Sequence, residues 1–383
     1  MHPIGSQATA SRNGHSPLVV RFTGPRQVDV VPYEPDPLPA GHARVRTHYS
    51  GISAGTELTA YRGSNPYLNK KWDAGLRLFT PGEKTFSYPV TGWGYSEVGE
   101  VVAIGQPADQ ESPAAGTAVS SDAEVHVGDL VYGIWGHRGD AVLPLSALEG
   151  HRLPQDVEPL TGVFARVGAI ALNAVLAADV HVGETVAVFG QGVIGLLATR
   201  LAVLSGATAL AVDAMAPRLK MAERFGAVST LDARQGLVAE RIRELTRGLG
   251  ADVTIELSGS YAGLREAVRA TAVGGRVVAA GFYQGPATVL DLGEEFHHNR
   301  ISIIASQIGG VPAGVSARWT RERLHAVVMQ LVADGRVDVG SLVSSVVPVG
   351  DAAAAYRMLD EDPTEALQVV LDFRGGADLP AAL

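Results

Sequence analysis

The chain has 383 residues, with 40 acidic against 31 basic side chains, a formal net charge of −9 and no cysteine. The acidic balance argues against a nucleic-acid partner, which calls for a basic face, and the missing cysteine excludes disulfides, thiolate nucleophiles and cysteine-bound zinc. No uncharged apolar run reaches the ~18 residues of a membrane span, the expected compartment is the cytoplasm, and the length predicts two domains or one large one.

Residues 1–16 lack the apolar core of a signal peptide and read as a disordered tail. Short β-prone runs broken by Pro and Gly follow at 17–22, 27–33 and 43–53. A polar, aromatic stretch at 61–79 interrupts them, and strand signals resume at 97–105. Residues 106–124 are rich in Ala, Ser and Pro and read as an exposed insertion, after which 125–133 returns to β pattern. From residue 168 the character changes to alternating apolar strands (184–190, 208–213, 252–259, 276–282) and helices (193–206, 216–226, 264–272). This alternation predicts a doubly wound parallel sheet with helices on both faces. The apolar stretch 301–310 is a final strand of that region, followed by helices at 321–335 and 350–361 and a closing strand at 365–373.

The sharpest motif is Gly190-Gln191-Gly192-Val193-Ile194-Gly195, which follows an apolar strand and opens an apolar helix. In that context the first Gly permits a tight turn, the second lets backbone approach a pyrophosphate, and the third lets helix pack on strand. The helix N-terminus offers free N–H groups to the phosphates. Asp213 ends the next strand, eighteen residues after Gly195. An acid there suits the adenosine ribose hydroxyls and repels a 2′-phosphate, favouring NAD(H) over NADP(H). The competing role for Asp213 is to cap the helix that starts at Ala216. Arg218 is a candidate for stacking on adenine or, equally, a solvated helix residue.

These features resemble the medium-chain dehydrogenase/reductase superfamily over roughly residues 17–373. The resemblance implies an α/β architecture: a β-rich GroES-like catalytic domain (17–167), a Rossmann domain (168–307) and a return to the catalytic domain (308–383). It further implies that Glu256-Leu257-Ser258-Gly259 and the 274–282 segment, with Ser258, Gly281 and Phe282, flank the nicotinamide. The zinc-binding branch has a Gly-Ile-Cys-Gly-Thr-Asp stretch, and here the matching residues are Gly51-Ile52-Ser53-Ala54-Gly55-Thr56-Glu57. Its Gly-His-Glu motif reads Gly94-Tyr95-Ser96, and its third ligand falls at about Arg166. Serine, tyrosine and arginine are not zinc ligands, so no metal is expected. The 51–57, 61–67 and 299–307 segments are most similar to a metal-free subgroup that includes a bacteriochlorophyllide hydroxyethyl dehydrogenase and natural-product enzymes.

Without zinc, hydrogen-bond donors must polarise the substrate oxygen. Tyr95 is the leading candidate, unless it only packs an emptied metal cavity. Ser53 and Thr56 are candidates for a proton relay or for ordinary turn bonding. His137, beside glycines, is either a group titrating near neutrality or a surface histidine. Glu57 is expected to pair with Arg166. Tyr61, Asn65, Tyr67 and Trp72 are candidates for a substrate-pocket wall or for a plain surface loop. His297 and His298 lack the two further ligands a metal would need. The expected activity is alcohol–ketone oxidoreduction on a cyclic polyol, sugar or natural-product intermediate. Reduction of a conjugated double bond, and cofactor binding without catalysis, are the alternatives. The apolar 301–310 strand would be a hazard if left exposed at a sheet edge, which predicts a homo-oligomer, most simply a dimer.

Overall fold

The computed structural model describes residues 16–106, 124–364 and 366–375. Nearly all of the expected tail and most of the 106–124 insertion lie outside the described residues.

The chain opens with β1 (Leu18–Gly24) and β2 (Gln27–Pro32), an antiparallel pair. Next comes β3 (His42–Gly51), whose end and the residues just after it deliver Ser50 and Ser53 to the interior. The 61–79 stretch is part helix and part hairpin: α1 (Glu57–Arg62) precedes β4 (Lys70–Asp73) and β5 (Leu78–Pro81). β6 (Val90–Thr91) completes the small sheet on β1. β7 (Glu97–Ile104) pairs antiparallel with β3 on one side and with β8 (Leu130–Gly133) on the other, while β9 (Asp140–Pro144) also pairs with β3. Alternating apolar residues bury one face of these strands, and Ala43, Val45, Val101 and Val131 form part of their core.

A helical run from Pro159 continues into α2 (Phe164–Ala177), and together they make a 19-residue apolar segment long enough to cross a membrane. Most of it is buried inside the fold, the setting of a core helix. The Rossmann half then builds up in order: β10 (Thr185–Phe189), α3 (Val193–Leu204), β11 (Thr208–Asp213), α4 (Ala216–Arg224), β12 (Ser229–Asp232) and α5 (Val238–Leu245). β13 (Ala251–Glu256), α6 (Tyr261–Ala270), β14 (Thr271–Ala279) and β15 (Ser302–Ala305) complete it. All six strands are parallel, in the order β12-β11-β10-β13-β14-β15. The central strand β10 is apolar along its length because helices cover both its faces.

The chain crosses back through α7 (Arg321–Ala333), which packs on α2. A Cβ on Gly168 would lie 2.4 Å from Cγ1 of Val328, so only glycine allows that approach. β16 (Val343–Pro348), α8 (Ala352–Glu361) and β17 (Gln368–Asp372) return to the first sheet, where β17 pairs with β3. The architecture is the expected α/β one, a Rossmann sheet beside a β-rich GroES-like part. The strand expected over 301–310 is shorter, because the chain turns away after Ala305 and Gly309 and Gly310 belong to a turn.

Candidate active site

The cofactor turn sits where β10 gives way to α3. Gly190 has φ +86°, and a Cβ on it would press within 2.6 Å of the Ser258 backbone nitrogen. A Cβ on Gly195 would lie 1.8 Å from the Gly190 carbonyl oxygen, so a side chain there would push helix and turn apart. Gly192 caps α3 without a side-chain hydrogen bond and faces open space, with only an Arg218 nitrogen within 4 Å of its would-be Cβ. The N–H groups of Val193 and Ile194 begin the helix and are the donors a pyrophosphate would meet. This cradle fits a dinucleotide.

Asp213 is buried at the end of β11. One carboxylate oxygen accepts the Gln191 N–H at 2.6 Å and the other the Met215 N–H at 2.8 Å. It therefore ties the glycine turn to the start of α4, whose capping residue is Met215. Each oxygen keeps a lone pair for a ribose hydroxyl. Arg218 donates to the carbonyls of Pro363 at 3.0 Å and Ala366 at 3.4 Å, which binds α4 to the segment before β17. That contact takes Arg218 out of the solvated position that was one of its two expected roles. Across the turn, the fully buried Glu256 accepts the N–H and hydroxyl of Ser258, the Gly259 N–H and the Tyr283 hydroxyl. Gly281 and Phe282 lie against Gly259, and Phe282 is exposed. Tyr283 was not anticipated, and Glu256 was expected only as part of the segment flanking the nicotinamide, since nothing in a strand-final Glu marks it as a loop anchor.

The chemical half lies where β3, α1 and the Gly94-Tyr95-Ser96 turn meet. The Ser53 and Tyr95 hydroxyls are hydrogen-bonded to each other, and the phenol also engages Thr56. Burial, and then the charge of Glu57, hold the Tyr95 phenol above its ordinary range, so it keeps its proton. Behind the pair, Glu57 is fully buried. Its Oε1 accepts the Ser53 N–H at 3.0 Å, and its Oε2 accepts from His137 Nε2 at 2.7 Å and the Tyr356 hydroxyl at 2.6 Å.

His137 is therefore no surface group. It is 1% exposed, with Nδ1 at 2.6 Å from the Ser50 hydroxyl, which in turn donates to Glu97 at 3.0 Å. If His137 Nδ1 lacked a proton, the Ser50 hydroxyl would be drawn to it and away from Glu97. Protonation of both ring nitrogens satisfies every partner. Burial opposes that charge, but Glu57 and Glu97 outweigh it and raise the imidazole above its ordinary range. Burial raises Glu97, with His137 opposing it. The expected Glu57–Arg166 pair does not form. Glu57 turns inward to His137, while Arg166 lies beside Tyr95 with no ion-pair partner among the described residues.

The proposed pocket wall is mostly structural. Tyr61 is buried, stacked on Tyr356 at 5.7 Å, and Asn65 is buried, bonding Thr59 and capping the turn that contains Tyr67. Tyr67 and Trp72 both pack on Phe79 of the β4–β5 hairpin, where Trp72 stays exposed. Ser50, Glu97 and Tyr356 were missed because they come from separate strands and from a helix some 300 residues away from Glu57.

At the positions of the zinc ligands, the Ser53 hydroxyl is committed to Tyr95, the buried Ser96 hydroxyl has no partner, and Arg166 is cationic. No group of three or more His, Asp or Glu with metal-binding geometry occurs among the described residues. The side chains present do not fit zinc.

Residues 193–331 match the zinc-binding dehydrogenase family model. The chain is 28% identical over 360 residues to a D-guloside 3-dehydrogenase of Shigella flexneri, covering 92% of this chain and 98% of that protein. An alcohol dehydrogenase of Cupriavidus necator is 31% identical over 196 residues, 51% of this chain and 50% of that one. The crystal structure of 2R,3R-butanediol dehydrogenase from Bacillus subtilis superposes with a TM-score of 0.72 at 21% identity, over 93% of this chain and 99% of that chain. The chain is similar to the zinc-binding dehydrogenases in sequence along its cofactor-binding segment, and to the butanediol enzyme in fold along nearly its whole length.

Proposed function

We propose that this chain is an NAD(H)-dependent oxidoreductase that interconverts a secondary alcohol and a ketone on a cyclic polyol, sugar or natural-product intermediate, without zinc. The nicotinamide supplies or accepts the hydride when bound. The chain's own part is to hold the substrate oxygen. The observation that carries the reading is the Ser53–Tyr95 hydroxyl pair braced on Glu57. It stands where the zinc-binding relatives have two of their ligands. A phenol kept protonated by its surroundings donates to a carbonyl oxygen as negative charge develops on it. Ser53 and Thr56 orient that phenol, and Glu57 fixes Ser53 through its backbone N–H. The imidazolium of His137 is locked behind Glu57 and neutralises it without reaching substrate.

The D-guloside 3-dehydrogenase relatives support a sugar-like secondary alcohol, and the butanediol enzyme shares the fold. Asp213 supports NAD(H), because a 2′-phosphate would be set against its charge.

The test follows reduced nicotinamide by absorbance while the full chain meets a panel of glycosides, inositols and conjugated enones. Zinc is measured on the same preparation. Exchange with a polyol or its ketone at well under one zinc per chain is expected. Turnover of enones alone, or activity that requires stoichiometric zinc, overturns the reading.

A further inference from the structure

We infer that the wall beside Tyr95 carries an anion subsite, formed by Arg166 and Arg321 with His325, which takes a carboxylate or phosphate borne by the substrate. Arg166 is the third residue of α2 and Arg321 the first of α7. The two helices pack on each other, with Gly168 against Val328. The half-buried Arg166 guanidinium has no hydrogen-bond acceptor and no ion pair among the described residues. The titratable groups that reach it are the neutral Tyr95 phenol and a second cation, Arg321.

A guanidinium drawn out of water without a partner is costly, and a like charge beside it adds to the cost. A bound oxyanion would relieve both. The planar fork of arginine matches carboxylate and phosphate geometry.

One turn along α7, His325 is 8% exposed and its Nδ1 is buried without a partner. Its ring lies 5.5 Å from that of His151. Burial, with His151, Arg166 and Arg321, pushes its pKa down to about 4, against a weaker pull from Glu322. The ring is thus neutral at pH 7 and has an N–H to place on an acceptor. Glu322 is the acid of this region, and it acts on His151, His325 and the neighbouring Arg321, not on Arg166.

The inference rests on the oxidoreductase reading for the role of Tyr95, so its test is a binding measurement that needs no turnover. The full chain saturated with NADH is titrated calorimetrically with D-glucuronate, D-glucose 6-phosphate and D-glucose. At least one anion should bind about ten- to a hundredfold more tightly than glucose, the range of a charge-assisted hydrogen bond. The two anions separate a carboxylate from a phosphate site. Arg166→Gln should abolish the difference and Arg166→Lys restore part of it. Arg321→Gln, at an exposed position that leaves the fold intact, should reduce it. Anions that bind no better than glucose, or arginine variants that bind them as wild type does, overturn the subsite. If Arg166→Gln does not fold, Arg321→Gln decides. Failure of the wild type to bind NADH strikes the oxidoreductase reading alone. The variant difference is then read without cofactor.

Discussion

Replacing Glu57 with glutamine tests the buried network most directly. Both carboxylate oxygens are in use, one by the Ser53 N–H and the other by His137 and Tyr356. An amide has one oxygen. Whichever way it is turned, at least one of these donors faces an NH2 group, and the imidazolium loses its nearest countercharge. An unsatisfied buried donor and a broken buried ion pair together predict a loss of about 3–5 kcal/mol. The pH dependence has a definite sign. The fold raises His137 above its unfolded value, so its contribution is complete below about pH 6.5 and is lost as pH rises through the folded value. Urea denaturation of Glu57→Gln and wild type at pH 6 and pH 9 should therefore show a large gap that narrows at the higher pH. A gap under about 1 kcal/mol at pH 6, or one that widens with pH, would refute the charged network.

Two further outcomes follow from the site and one from the sheet edge. Tyr95→Phe should lower turnover about a hundred- to a thousandfold, as for loss of one oxyanion donor, with NADH affinity measured by fluorescence almost unchanged. Asp213→Ser should narrow the preference for NADH over NADPH in the same titration, and tighter NADPH binding by the unmodified chain would remove the basis for the assignment. β15 lies at the sheet edge with Ile303 37% exposed. Sedimentation at micromolar concentration should show a dimer that covers this edge, whereas a monomer would count against that use of it.

The Rossmann half was legible in the sequence because its signals are local. A strand buried on both faces reads as an unbroken apolar run, and a phosphate turn needs its three glycines within six consecutive residues. What the sequence could not determine were partnerships made across the fold. Glu57 was expected to pair with Arg166, 109 positions along the chain, and pairs instead with His137, 80 positions along. Only the way β3, β7 and α8 close over one cavity decides for His137, with Ser50, Glu97 and Tyr356 completing its shell. Tyr61 and Asn65 have the composition of a pocket wall, yet they are buried as structural groups, because the return of α8 sets Tyr356 against Tyr61. Hydrophobic period and turn chemistry are properties of neighbouring residues. The pairing of a buried charge depends on which distant side chain shares its low-dielectric site, and tertiary packing alone makes that choice.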